Sequence, residues 1–237
     1  MKFNFTTIQT KYAAMTKIAA VFAIAVAFSS CKTDVQQPES ISALAITNVA
    51  TKNTSLDFYI GNQKVSNLPY GQKVGYIGAN PGIYSGTVTE KDGAKSLYTA
   101  NFTLINGAYH SLYILSKADS ISYLTVKDEF VTPPSGKARV RFINLSADAP
   151  AVKLEINGDT TAFANRTFKT FTAFKSVNPQ TTVTLTLRDQ SSNAVLATLP
   201  NVEFRDQTYY TVLAQGLINT TDATVKLSLQ VSKHVLQ

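Results

Sequence analysis

From Ile41 onward the chain alternates apolar and polar residues in short runs, broken by turn residues about every ten positions. Val140 and Phe142 recur with period two, as do Val152, Leu154 and Ile156, then Val183, Leu185 and Leu187, then Val225, Leu227, Leu229 and Val231. Successive side chains of a strand point to opposite faces, so each set lines one face and leaves Thr, Lys or Ser for water. Frequent Thr, Val, Tyr and Phe favour strand over helix as well. Asn157-Gly158 and Asn106-Gly107 follow alternating runs and read as tight hairpin turns, because both residue types accept positive φ. The pattern predicts an all-β fold made of antiparallel β-sandwiches.

The pattern also repeats. Ala45 to Asn62 lines up without gaps on Arg141 to Gly158, matching Asn48 with Asn144, Leu56 with Val152, Phe58 with Leu154 and Ile60 with Ile156. Gly107 to Ile114 lines up on Gln207 to Ala214, so that Tyr109 falls on Tyr209. Asn80-Pro81-Gly82 and Asn178-Pro179 break strands in corresponding places. A period this long predicts tandem domains rather than a solenoid. Between the copies, Thr132-Pro133-Pro134-Ser135-Gly136 denies strand donors and permits a turn. The expected order is residues 41–131 as a first sandwich, 132–136 as a Pro-rich linker and 137–237 as a second sandwich.

The segment before Ile41 has a different texture. Lys11 and Lys17 precede an uninterrupted apolar run of eleven residues, Ile18 to Phe28, and Ser29-Ser30-Cys31 close it. About 20 apolar residues are needed to span a bilayer as a helix, so the run reads as an export signal rather than a permanent anchor. Phe28-Ser29-Ser30-Cys31 resembles a bacterial lipoprotein box with Phe in place of Leu. The resemblance implies residues 1–30 as signal peptide and Cys31 as the lipidated first residue of the mature chain, held to the membrane through its acyl chains. Each buried methylene contributes about 0.8 kcal/mol, so two or three chains would hold almost permanently. Residues 31–40 then form a polar, Pro-containing tether. Lys32-Thr33-Asp34 resembles the short charged surface-export signal of Bacteroidota lipoproteins, which implies an outer-membrane, surface-exposed location, with a periplasm-facing orientation as the other option. Met15 offers a second start that gives a signal of conventional length.

Charge and chemistry narrow the function classes. The formal net charge of +7 loses Lys2, Lys11 and Lys17 with the signal, leaving +7 − 3 = +4. The basic residues are scattered. Arg139 and Arg141, the densest pair, read as a solvated strand face, and no nucleic-acid partner is expected. Cys31 is the only cysteine, so disulfides within the chain and thiolate metal clusters are ruled out. His110 and His234 are the only histidines. His110 reads as a half-buried packing residue. There is no Gly-x-Ser-x-Gly elbow and no phosphate-binding glycine loop. We therefore expect no enzyme, cofactor or catalytic residue. Most Asp residues stand singly at turns, where they cap backbone N–H groups. Asp148 is the candidate loop ligand site, beside Pro150. Eight tyrosines concentrate between Tyr59 and Tyr123 and offer a polar-aromatic face for a glycan.

Asn144-Leu145-Ser146-Ala147-Asp148-Ala149-Pro150, with Val152 and Asn157-Gly158 after it, resembles the opening signature of domain of unknown function (DUF) 4397. Tyr209 to Gly216, YYTVLAQG, is similar to that family's later strand. The resemblance covers most of Lys137 to Gln237 and implies tandem Ig-like or transthyretin-like sandwiches in a cell-envelope setting, with no reaction attached. In the first copy Lys52, Asn53 and Thr54 stand where the second has Asp148, Ala149 and Pro150. Asp119-Ser120-Ile121 and Asp159-Thr160-Thr161 resemble Bacteroidota O-glycosylation sites, which implies Ser120 and Thr160 as acceptors. The reading is a lipid-anchored, non-enzymatic binding or spacer module, whose expected partners are the membrane through Cys31 and another envelope protein or a glycan. Two alternatives stay open: a fimbria-like structural subunit using strand exchange through Thr224 to Val231, and a glycan-binding accessory protein.

Overall fold

A computed structural model describes residues 41–236, and Ser40–Gln237 form one compact unit. The first eight strands are β1 (Ser42–Asn48), β2 (Ser55–Ile60), β3 (Gln63–Pro69), β4 (Lys73–Ala79), β5 (Gly82–Glu90), β6 (Ser96–Leu104), β7 (Tyr109–Lys117) and β8 (Ser120–Asp128). They form two sheets, ordered β4-β1-β7-β8 and β3-β2-β5-β6. The remaining strands are β9 (Ala138–Asn144), β10 (Val152–Ile156), β11 (Phe163–Arg166), β12 (Thr170–Phe171), β13 (Lys175–Val177), β14 (Gln180–Asp189), β15 (Val195–Phe204), β16 (Tyr209–Gln215) and β17 (Ser228–His234). Their sheets are ordered β12-β9-β16-β17, with β13 also on β9, and β11-β10-β14-β15. The strand order of the first sandwich thus recurs in the second, with β12 and β13 together in the place of β4.

Each sandwich closes over its own core. Leu44, Ile46, Leu112 and Ile114 of one sheet meet Leu56, Phe58 and Val88 of the other. In the second sandwich Val140, Phe142 and Val212 meet Val152, Leu154, Leu185 and Leu187. Val140, Phe142, Val152, Leu154, Leu185 and Leu187 belong to the period-two sets of the sequence. Asn48 and Asn144, both fully buried, tie sheet to sheet: Asn48 Nδ2 donates to Leu68 O at 2.8 Å and Asn144 Nδ2 to Arg166 O at 3.0 Å. Each also accepts a backbone N–H two residues on, from Ala50 and Ser146.

Four local expectations change. The sheets are antiparallel except that β1 runs parallel to β7 and β9 parallel to β16. Asn106-Gly107 carries the chain from β6 in one sheet to β7 in the other, so it is a crossing turn and not a hairpin. Asn157-Gly158 opens a loop of residues 157–162 between β10 and β11 rather than a two-residue turn. Val225 belongs to a 3-10 turn, Ala223–Val225, and β17 starts only at Ser228. Gly216 causes the last difference: it turns the chain at φ +90°, and Leu217 N–H and Leu227 N–H then bond to Val225 O and Leu217 O before the strand begins.

Candidate functional site

β1, β7, β9 and β16 are buried along nearly their whole length, on both faces. Their inward faces fill the two cores. The outward faces meet each other: Val49, Tyr113, Leu115 and Val126 of the first sandwich form a third apolar cluster with Ile143, Leu145 and Leu213 of the second. The two sandwiches therefore share a seam, and its polar half contains the most unusual chemistry among the described residues.

At the centre of that half, Arg141 is 2% exposed and forms an ion pair with Asp128 Oδ1 at 2.7 Å. Arg141 was expected on a solvated face. The first sandwich covers that face, and the guanidinium survives burial because a carboxylate is buried with it. Burial works against the charge on Arg141, but Tyr113 and Asp128 outweigh it and hold its pKa above the usual value. Arg141 also lies over the Phe174 ring, 4.7 Å from the centroid.

The hydrogen bonds run in a circuit whose directions follow from proton count. Arg141 Nε and Nη2 donate to Thr211 Oγ1 at 3.2 and 3.0 Å. Tyr76 Oη donates its one proton to Asp128 Oδ2 at 2.7 Å, and Ser111 Oγ donates to the same oxygen at 2.7 Å. Tyr76 Oη also lies 2.7 Å from His234 Nδ1, so Nδ1 must carry the hydrogen and donate to it. His234 Nε2 then accepts from Thr211 Oγ1, 2.7 Å away. Burial first, then the charges of Lys73 and Arg141, push the His234 pKa down to about 2, which keeps the ring neutral as the circuit requires. Burial, reinforced by Asp128, raises the Tyr76 phenol well above its usual range. Lys73 closes one edge: its ammonium donates to Ser232 Oγ at 2.9 Å, and burial lowers its pKa.

Beside the circuit Phe130 contacts five rings: Tyr76, Tyr109, Phe174, Tyr209 and His234, with centroids 4.7 to 6.1 Å away. The arrangement has an approximate two-fold logic. Ala43 pairs with Tyr109 and Arg139 with Tyr209; Ala45 pairs with Ser111 and Arg141 with Thr211. Tyr76 and Phe174 precede the partners of Leu44 and Val140, Ile77 and Lys175. Tyr76 meets Tyr109 edge-on at 4.9 Å, and Phe174 meets Tyr209 edge-on at 5.2 Å. Position for position, Arg141 corresponds to Ala45. A second guanidinium there would add an unpaired like charge to the seam, and the small side chain avoids it.

Chemically the site is a closed lock. Both nitrogens of His234 and both oxygens of Asp128 are engaged, and both residues are at most 5% exposed. His110, 2% exposed, is more deeply buried than its sequence suggested, and burial lowers its pKa. No group of three or more His, Cys, Asp or Glu among the described residues is placed to hold a metal ion.

The residues singled out by sequence lie elsewhere. Cys31 is outside the described residues. Asp148 is exposed, and its two carboxylate oxygens accept the backbone N–H of Ile218 and Asn219, both at 2.9 Å. In the first sandwich Lys52, its counterpart, forms an ion pair with Asp119 at the β7–β8 turn. Both loops therefore latch onto the turn after the parallel strand, one by carboxylate and one by ammonium, which explains the sequence difference. Ser120 is the exposed first residue of β8, just after the β7–β8 turn, and Thr160 is exposed on the β10–β11 loop. The tyrosines do not form one open face: Tyr76 and Tyr113 are in the seam, while Tyr98 and Tyr123 pack edge-on at 5.2 Å. Sequence reasoning missed Tyr76, Asp128, Phe130, Thr211 and the burial of Arg141. One signal was present, since SLYIL in β7 and YYTVLA in β16 are continuous rather than alternating runs, the mark of strands covered on both faces.

The fold and seam define an all-β protein of two fused sandwiches. The family model described as "Domain of unknown function (DUF4397)" matches residues 42–155. This match takes in all of the first sandwich and ends in β10, so it reaches the Asn144–Pro150 signature but lies mainly on the copy that departs from it. No curated protein matches the chain. Solved structures with some likeness include family 41 carbohydrate-binding modules from streptococcal virulence factors, described for α-glucan recognition, at 12% identity and TM-score 0.24, covering 71% of this chain and 92% of that one. A candidate cell adhesion protein from Bacteroides uniformis has 11% identity and TM-score 0.27, covering 84% and 100%. A family 26 module from Eubacterium rectale, solved with maltoheptaose, has 8% identity and TM-score 0.25, covering 83% and 98%.

Proposed function

We propose that this chain is a lipid-anchored protein of the outer membrane, exposed at the cell surface, whose described residues act as a rigid, non-enzymatic binding or spacer module. The observation that carries this reading is the seam. Its ionisable groups are consumed in locking one sandwich to the other, which suits holding a fixed shape better than turning over a substrate. The lipoprotein-like close at Cys31 and the polar stretch after it supply the attachment. Strand exchange has less support, because β17 is paired with β16 from Tyr209↔His234 to Gln215↔Ser228. A glycan-binding role has less support too, since several of the tyrosines that suggested it serve packing. The exposed Ser120 and Thr160 remain O-glycan acceptor sites under this reading, and an intact mass equal to peptide plus acyl chains would remove them.

Protease shaving of intact cells, compared between the wild type and Cys31→Ala, tests anchoring and exposure together. The wild type is expected in the membrane fraction and degraded from outside, and the variant in soluble fractions. Unchanged membrane retention of the variant would overturn the anchor.

A further inference from the structure

Eight large hydrophobic residues are exposed among the described residues, and six of them gather at one end of the molecule: Ile41, Ile83, Ile105, Val131, Val235 and Leu236. It is the end where the described chain begins. Ile41 precedes β1, and its carbonyl accepts Gly107 N–H at 3.1 Å beside Ile105. Ile83 pairs with Thr103 at the neighbouring end of β5 and β6. In the second sandwich Val235 and Leu236 follow His234, which pairs with Tyr209, and Tyr209 Oη donates to Val131 O. The two sandwiches present this end together, because seam contacts keep the same order on both sides, from Gln230 with Gly71 to His234 with Tyr76.

Three clefts of about 420, 370 and 370 Å³ open between these residues; Tyr109 lines two of them and Phe130 two. Exposed Lys127, Arg205 and Lys233 stand at this end, as do exposed Glu129 and Asp206, so its charge is mixed. The opposite end carries polar turns at Asp92, Asp119 and residues 190–194. Apolar clustering of this kind marks an interaction surface.

The anchor indicates what covers it. Cys31 is ten residues before Ile41, and an extended chain of that length reaches at most about 36 Å. We propose that this end rests on the bilayer, with Ile105, Val131, Val235 and Leu236 entering the headgroup region. The proposal rests on the acyl anchor proposed above, because a tether that short keeps a lipid surface within reach of this end whatever the protein concentration. Amphipathic protein surfaces insert about 5–10 Å into the headgroup and acyl boundary.

The chain has one cysteine and no tryptophan, which makes the test direct. Mature protein beginning at Cys31 is coupled through that thiol to a maleimide phospholipid in phosphatidylethanolamine and phosphatidylglycerol vesicles. Tryptophan is introduced singly by Ile105→Trp, Val235→Trp or, at the opposite end, Lys91→Trp. Acyl-brominated lipid is expected to quench the first two at least about threefold more than the third, in line with shallow insertion. Equal quenching of all three, or quenching of none, overturns the proposal. So does shielding of the first two in vesicle-free solution, which would make a second copy the occupant. Coupling supplies the anchor chemically, so failure here is distinct from failure of Cys31 lipidation in cells.

Discussion

Asp128 and His234 occupy the same place in the two sandwiches, opposite Tyr109 and Tyr209 on the neighbouring strand, and both bond to the single hydroxyl of Tyr76. One repeat supplies the buried anion and the other a neutral ring at the same position. That difference lets the circuit close around Arg141, with Asp128 Oδ2 accepting from Tyr76 and Ser111 and the neutral His234 ring donating to Tyr76 and accepting from Thr211.

Breaking the ion pair from one side should therefore cost more than removing it. Asp128→Ala leaves Arg141 buried without its counter-charge and should destabilise the protein by about 3–5 kcal/mol. Adding Arg141→Met to that variant should recover a large part of the loss. Urea unfolding of both variants checks this; a double variant no more stable than the single would contradict it.

Stability should fall in acid through His234. The folded ring resists protonation down to about pH 2, while the unfolded one takes a proton near 6.5. The contribution is complete above about pH 6.5 and is lost as pH drops toward 2, with a slope of up to about 1.4 kcal/mol per pH unit. His110, its pKa lowered first by burial, adds in the same direction. Unfolding free energies measured over this range should show the slope, and His234→Gln, which cannot protonate, should flatten it.

Gly216 should not tolerate a side chain. A Cβ there would lie 2.5 Å from Lys226 O and 2.6 Å from Val225 O, with φ already at +90°. Gly216→Ala should cost about 2–4 kcal/mol from backbone overlap and strain. Gly158→Ala meets only the Gln180 side chain at 3.4 Å, at φ +77°, and should cost about 1 kcal/mol. Comparing the two melting temperatures separates the clash from the conformational effect.

The buried asparagines should behave as equivalent ties. Asn48→Ala leaves the buried Leu68 carbonyl and Ala50 N–H, and Asn144→Ala the half-buried Arg166 carbonyl and buried Ser146 N–H, without their partner, which costs about 1–3 kcal/mol each. They share no partner, so the double variant should be additive within about 0.5 kcal/mol by chemical denaturation.

By itself the sequence determined the all-β class, the inward faces of the alternating runs and the correspondence of the two sandwiches. Period-two alternation states which residues share a face, and the matches of Asn48 with Asn144 and Tyr109 with Tyr209 survive as equivalent positions in the folded protein. What covers a face is a different matter, because alternation is blind to it. Arg139 and Arg141 have the same spacing as residues of a solvated strand, and only packing of the two sandwiches puts Arg141 out of water beside Asp128. The same holds for Phe130, which lies in no alternating run and takes its role from rings contributed by β4, β7, β16, β17 and the segment between β12 and β13. The tertiary structure decided the seam, since its contacts join residues up to 160 positions apart whose pairing depends on shape and proton count rather than on local pattern.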